Sequence, residues 1–130
     1  MQTENQSDIA ILENLCRSKQ GGHSLSLMDL LEGQTLDLEI SAWLISHVSQ
    51  GASYIIGAGP GGVGKTTTMR ALLSVVPEDR PFGIALPGQI TGTFDSPHCV
   101  ISHELSNHRP PGYLWGNDLR EFFNLSELGH

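Results

Sequence analysis

The sequence predicts an α/β domain in which a mostly parallel sheet is flanked by helices, and three features support this. An apolar run at 53–58, "SYIIGA", leads into a glycine-rich turn at 57–68, "GAGPGGVGKTTT". A helical pattern follows that turn, and two further apolar runs occupy 82–86 and 99–103. Buried parallel strands are short and almost continuously apolar, and helices usually connect them.

Three helices are predicted before the turn. The first begins at Ser7 or Asp8, and the second ends at Gly33. The third begins at Thr35 or Asp37, because both residue types cap helix N-termini. Its apolar positions recur at helical spacing and are expected to be buried: Ile40, Trp43, Leu44 and Val48.

After the turn, a helix is predicted over 65–76 and is stopped by Pro77. The last helix is expected to be capped by Asn117. Its inward positions would be Leu119, Phe122 and Phe123. We expect a helical lead over 1–34 and a nucleotide-binding domain over 35–130.

Composition narrows the possible partners. The chain has 130 residues, with 14 acidic and 7 basic side chains and a net charge of −7, and it shows no run of Lys or Arg, so a nucleic-acid partner is not expected. No stretch approaches the roughly 18–20 apolar residues of a membrane span, and the polar N-terminus does not resemble a signal peptide. We therefore predict a cytoplasmic protein.

Cys16 and Cys99 are expected to be reduced, and a disulfide between them is the less favoured alternative.

The glycine-rich turn carries the chemistry. Gly59-x-x-x-x-Gly64-Lys65-Thr66 matches the phosphate-binding loop pattern G-x-x-x-x-G-K-[ST]. Backbone N–H groups would surround the phosphates, Lys65 would place a cation on the β- and γ-phosphates as the main catalytic residue, and Thr66 would bind Mg²⁺ through its hydroxyl. Mg-ATP is the expected ligand. The predicted contact residues are Gly59, Pro60, Gly61, Gly62, Val63, Gly64, Lys65, Thr66 and Thr67.

A wider stretch, "SAWLISHVSQGASYIIGAGPGGVGKTTTMRALLSVVP" at 41–77, resembles the core of the type II/IV secretion and pilus-assembly ATPases. That resemblance covers the front half of such a domain, and it implies ATP hydrolysis by a ring-shaped homo-oligomer. In that family an acidic box follows, and Glu104 in "CVISHEL" at 99–105 occupies the corresponding place as a candidate catalytic residue. The family's Walker B strand and downstream histidine motif have no counterpart in this sequence.

One other family and two other kinds of function stay open. "GGVGKTT" also resembles the deviant loop of the partition ATPases, but Pro60 stands where those proteins carry a second lysine. A translational-type GTPase would need an N/T-K-x-D motif, which this sequence lacks. A non-hydrolysing nucleotide-binding or regulatory module is the main alternative to an ATPase, and a small-molecule phosphotransferase is a third.

Several other side chains are weaker candidates. The spacing of His98, Cys99, His103 and His108 suggests a zinc site only loosely, because structural zinc sites use tighter, paired ligands. Asp95, in a turn sequence, is a weaker acid candidate than Glu104. Possible adenine-stacking rings are Tyr113 and Trp115, and possible arginine fingers are Arg70, Arg80 and Arg109.

Overall fold

The computed structural model describes residues 26–59, 64–90, 95–107 and 113–130, together with Ala10. The chain divides into two compact units, one formed by Arg17–Glu78 and the other by Met1–Cys16 with Asp79–His130. Helices and small parallel strand pairs are both present, so the coarse α/β class is confirmed. The helix predicted from Ser7 or Asp8 lies outside the described residues.

Helix α1, Leu27–Glu32, begins with a capping box. The Ser26 hydroxyl accepts a hydrogen bond from the Asp29 N–H, and the Asp29 carboxylate accepts one from the Ser26 N–H at 2.7 Å. These bonds satisfy two donors that the start of a helix would otherwise leave unpaired. The hydrogen bond from the Ser26 N–H, and after it the one from the Ser26 hydroxyl, hold the pKa of Asp29 below its ordinary value. Gly33 ends the helix, as predicted.

Helix α2, Leu38–Val48, begins at Asp37, whose carboxylate accepts a hydrogen bond from the Ile40 N–H at 2.8 Å. The predicted start is therefore confirmed, but the predicted buried face is only partly right. Val48 is buried, whereas Trp43 is 60% exposed. Ile40 is also exposed. The side of α2 that packs against α1 is therefore not the side that the spacing of its apolar residues predicted.

Helix α3, Lys65–Leu73, starts at the predicted residue and ends earlier than expected, with turns leading to Pro77. Its buried side chains lie in the last turn, and α3 contacts both α1 and α2. These buried residues are Ala71, Leu72 and Leu73.

The strand predicted at 53–58 does not form. Within 26–59 and 64–78 the structure contains no strand, and Ile55 is 67% exposed. A strand needs a hydrogen-bonded neighbour, and an apolar run by itself does not specify one. The segment is instead irregular, although Tyr54 donates a long hydrogen bond, 3.5 Å, from its hydroxyl to the Met69 carbonyl oxygen.

The other unit holds two parallel strand pairs. Strand β1, Phe82–Ile84, pairs in parallel with β2, Cys99–Ile101, and both fall within predicted runs. Strand β3, Glu104–Leu105, pairs in parallel with β4, Tyr113–Leu114, which the sequence did not indicate. Each of these pairs forms a separate two-stranded sheet.

Helix α4, Gly116–Asn124, continues into a 3₁₀ turn, Leu125–Leu128. The helix begins after Trp115 and not after the predicted cap, Asn117. Leu119 and Phe122 pack inward as expected, but Phe123 is exposed. The core cluster that this helix covers consists of Ala85, Ile90, Leu114 and Leu125.

We predict that Ser41→Ala stabilises the fold. Ser41 is 1% exposed on α2, and its hydroxyl has no hydrogen-bond partner within the part of the chain that the structure describes. Removing a buried hydroxyl that makes no hydrogen bond should raise the free energy of unfolding by about 1 kcal/mol, measured by urea denaturation.

The control is Ser46→Ala, an exposed position on the same helix. Its hydroxyl accepts a long, exposed hydrogen bond from the Gln50 side chain at 3.4 Å, so this variant should gain at most the difference in helix propensity, a few tenths of a kcal/mol. A loss of stability in Ser41→Ala would contradict the prediction, because it would show that the hydroxyl makes a favourable contact.

Candidate phosphate-binding site

The glycine-rich segment is described on both sides of its centre, at 57–59 and from Gly64 onward, while 60–63 lie outside the described residues. Gly57 and Gly59 are exposed, and a Cβ atom added to either one would meet nothing within 4 Å. The backbone at these two positions is therefore open to approach by a ligand.

Gly64 joins this segment to α3 and takes a left-handed conformation, with φ 97° and ψ 16°. A residue with a Cβ is strained in that region, so the second glycine of the motif has a structural reason to be glycine. Gly64 is also the N-cap of α3, and no side chain caps this end of the helix.

The motif's lysine and threonines form the first turn of α3. Lys65 and Thr67 are half-buried, and Thr66 is exposed. The first bond of the helix runs from the Thr68 N–H to the Gly64 carbonyl oxygen, at 3.0 Å. The N–H groups of Thr66 and Thr67 precede that bond, so they have no acceptor within the helix. The positive end of the helix dipole and these donors make this terminus favourable for an anion.

The candidate acid lies in a different unit from the motif. Glu104 is half-buried in β3, in register with Tyr113 of β4, and belongs to the unit that includes Asp79–His130. Its neighbour His103 packs on Tyr113, with ring centroids 5.8 Å apart. The catalytic role of Glu104 stays a prediction from the sequence.

The zinc candidates lie around β2. His98 precedes the strand, Cys99 opens it as a half-buried cysteine, and His108 lies outside the described residues. Within the described ranges, no three His, Cys, Asp or Glu side chains come together as a group that could hold a metal ion. The His98 Nδ1 lies 2.6 Å from the Ser96 carbonyl oxygen.

The C-terminal turn makes a contact that the sequence did not indicate. The His98 N–H donates a hydrogen bond to the Nδ1 atom of His130 at 3.1 Å. Arg80, one of the arginine-finger candidates, donates from its guanidinium to the Gly129 carbonyl oxygen at 3.2 Å. The two contacts hold the end of the chain against the residues that precede β1 and β2. No local sequence pattern signals them, because the partners are far apart in the sequence.

The remaining candidate site residues lie in separate parts of the chain. Arg70 is half-buried in the last turn of α3, and its Nε has no hydrogen-bond partner among the described residues. Arg109 lies outside the described residues, and the weaker acid candidate Asp95 is exposed in a bend. Trp115 is 57% exposed at the start of α4.

Comparisons with protein-family models, with curated proteins and with solved structures find no match to this chain. In the described part of the chain, none of the helices is long and apolar enough to cross a membrane. The candidate site is therefore defined by the motif and by the local geometry where it enters α3.

We predict that the two motif glycines differ in their effect on stability. Gly64→Ala would force a residue with a Cβ into the left-handed region and should lower the free energy of unfolding by about 1–2 kcal/mol. Gly59→Ala, where φ is not left-handed and the space is open, should change it by less than about 1 kcal/mol.

Urea denaturation followed by circular dichroism measures both variants. Equal losses at the two positions would contradict this account of Gly64. An unchanged stability in Gly64→Ala would also contradict it, because the left-handed turn would then not be required.

Proposed function

We propose that this chain binds Mg-ATP at the glycine-rich segment 57–68 and hydrolyses it. One observation carries the proposal: the spacing Gly59-x-x-x-x-Gly64-Lys65-Thr66 passes through a left-handed Gly64 directly into the first turn of a helix. The motif requires a helix at this position, because the helix N-terminus supplies both N–H donors and a positive dipole end to the phosphates.

Each residue of this turn has a distinct contribution. The N–H groups of Thr66 and Thr67 would donate to phosphate oxygens, and the Lys65 ammonium would neutralise negative charge on them. The Thr66 side chain is exposed at the start of α3, and its hydroxyl oxygen is a ligand type that Mg²⁺ accepts. The bound Mg²⁺ would supply charge neutralisation between the β- and γ-phosphates.

The resemblance to secretion-type ATPases supports hydrolysis as the outcome of binding. It also supports a ring-shaped homo-oligomer acting in the cytoplasm. Catalysis in such proteins rests on positioning and charge stabilisation more than on covalent chemistry by the protein.

A non-hydrolysing nucleotide-binding module is the second candidate, and one observation favours it. Strand β1 is the first strand after α3, and it runs into "ALP" at 85–87, which carries no acidic side chain. Phosphate-loop hydrolases of the usual kind hold Mg²⁺ with an acid at the end of a strand. A chain without such an acid could bind Mg-ATP and change partners without turning it over.

We predict that Lys65→Ala weakens Mg-ATP binding by at least about tenfold, because a charge-assisted contact to phosphate contributes about 1.5–3 kcal/mol. Calorimetric titration of the full chain with Mg-ATP and Mg-GTP measures the affinity and identifies the preferred base. The control is Arg120→Ala, which removes an exposed positive charge on α4 and should leave the affinity unchanged. Unchanged affinity in Lys65→Ala would refute the proposed site.

For turnover, we predict that Glu104→Gln retains Mg-ATP affinity and loses phosphate release, because an amide cannot accept a proton from water as a carboxylate does. Glu127→Gln, an exposed acid in the 3₁₀ turn, is the matched control. Phosphate release is measured on the wild-type chain and both variants. Retained release in Glu104→Gln would discard this residue, and binding without release in the wild-type chain would favour the non-hydrolysing module.

A further inference from the structure

Helix α2 carries an aromatic side chain that the proposed phosphate site does not use. Trp43 is 60% exposed, although an indole of this size is usually buried. The buried side of α2 consists of Ser41 and Val48, so Trp43 lies on a different side of the helix from its packing face. Packing in the hydrophobic core therefore does not explain why a tryptophan occupies this position.

The indole is held in place from one side. The His47 ring packs on it with a centroid separation of 4.1 Å and an angle of 33° between the planes. The position of the His47 ring is itself fixed, because its Nδ1 lies 2.7 Å from the Trp43 carbonyl oxygen and can donate a hydrogen bond to it. One face of the indole is therefore covered within the helix, and the opposite face is the one left for a ligand.

A surface recess that is open to solvent, called the cavity below, adjoins the indole on the N-terminal side. It has a volume of about 180 Å³ and is lined by Glu39, Ile40 and Trp43. Side chains on a helix lean toward its N-terminus, which brings Trp43 over the turn that contains the other two residues. Among the described residues, the cavity thus combines an aromatic ring, an aliphatic side chain and a carboxylate.

The volume of the cavity and the chemistry of its lining indicate which class of ligand fits it. Pockets for whole small molecules measure roughly 300–1,000 Å³, so this cavity fits a single side chain better than a second nucleotide. An indole attracts cations, and a carboxylate beside it adds a salt-bridge partner. Arginine suits both features, since its guanidinium is flat, stacks on aromatic rings and is more weakly hydrated than an ammonium group.

The negative charge of the chain also favours a cationic ligand. The sequence of α2, "LEISAWLISHV", contains no Lys or Arg, and the whole chain carries a net charge of −7. We infer that the cavity of Glu39, Ile40 and Trp43 is a recognition site for an arginine side chain presented by a partner polypeptide. Charge complementarity favours such a partner over a further acidic copy of this chain.

Nuclear magnetic resonance of the full chain tests this with N-acetyl-arginine amide as the probe. The indole N–H signal of Trp43 should shift saturably as the probe is added. The signal of Trp115, which is 57% exposed and therefore similarly accessible, is the internal control and should stay in place. The matching citrulline derivative has nearly the same shape without the charge, and it should cause no saturable shift.

Variants separate the contributions of the cavity. Glu39→Gln should weaken the affinity for the arginine probe by about two- to fivefold, the effect of an exposed ion pair. Glu32→Gln, at an exposed position on α1, should not weaken it. Trp43→Ala removes the reporter signal, so binding to this variant is followed through the guanidinium N–H signals of the probe. Those signals should no longer be protected from exchange with water when this variant is present.

Other outcomes would overturn the inference. An equal response to the citrulline derivative, or an equal shift of Trp115, would show that binding is not specific to a cation in this cavity. If Arg17→Ala alone moved the Trp43 signal, an arginine of the chain itself would fill the site. If dilution of the protein moved it, a second copy would be the occupant.

Discussion

The packing of the last turn of α3 is the constraint on which the candidate site depends. Ala71, Leu72 and Leu73 are 0–2% exposed, and α3 contacts α1 and α2. A helix is stiff over this length, so burying its C-terminal turn also fixes the direction in which its N-terminal turn points. Lys65 and Thr66 are therefore positioned by apolar contacts at the opposite end of the helix. The candidate binding residues and the buried residues of this unit thus lie at opposite ends of the same helix.

The capping residues show why some features could be predicted from the sequence. Ser26 with Asp29, and Asp37 with Ile40, satisfy backbone donors within one turn of the chain. Interactions of this kind are local, and the sequence placed the start of α2 at Asp37 and the end of α1 at Gly33 correctly. The cap at Ser26 is equally local, but it was not predicted from the sequence. The motif around Gly64 was predictable for the same reason, because its left-handed turn and the helix after it involve consecutive residues.

Features that depend on distant residues could not be predicted in this way. The run at 53–58 has the composition of a buried strand, but Ile55 is exposed, because no strand within the described part of its unit pairs with it. Trp43 has helical spacing typical of a core position, yet α2 turns Ser41 inward instead. In the candidate site, the same limit applies to the contact between Tyr54 and Met69, which joins the segment before the loop to α3. Spacing selected the candidate phosphate-binding residues but did not indicate the contacts that support them.

The charge of the chain determines how a phosphate site could work in it. The sequence contains 14 acidic and 7 basic side chains, and only two of the basic ones are lysines, Lys19 and Lys65. A free nucleoside triphosphate carries several negative charges and would be repelled by the acidic surface as a whole. Backbone N–H groups and a helix dipole supply only partial positive charges, and one lysine cannot balance a triphosphate. A divalent cation already bound to the phosphates would reduce the ligand's charge before it meets the protein, and the Thr66 hydroxyl could then contact that cation. If the proposed site binds a nucleotide, the composition of the chain thus favours the magnesium complex over the free nucleotide.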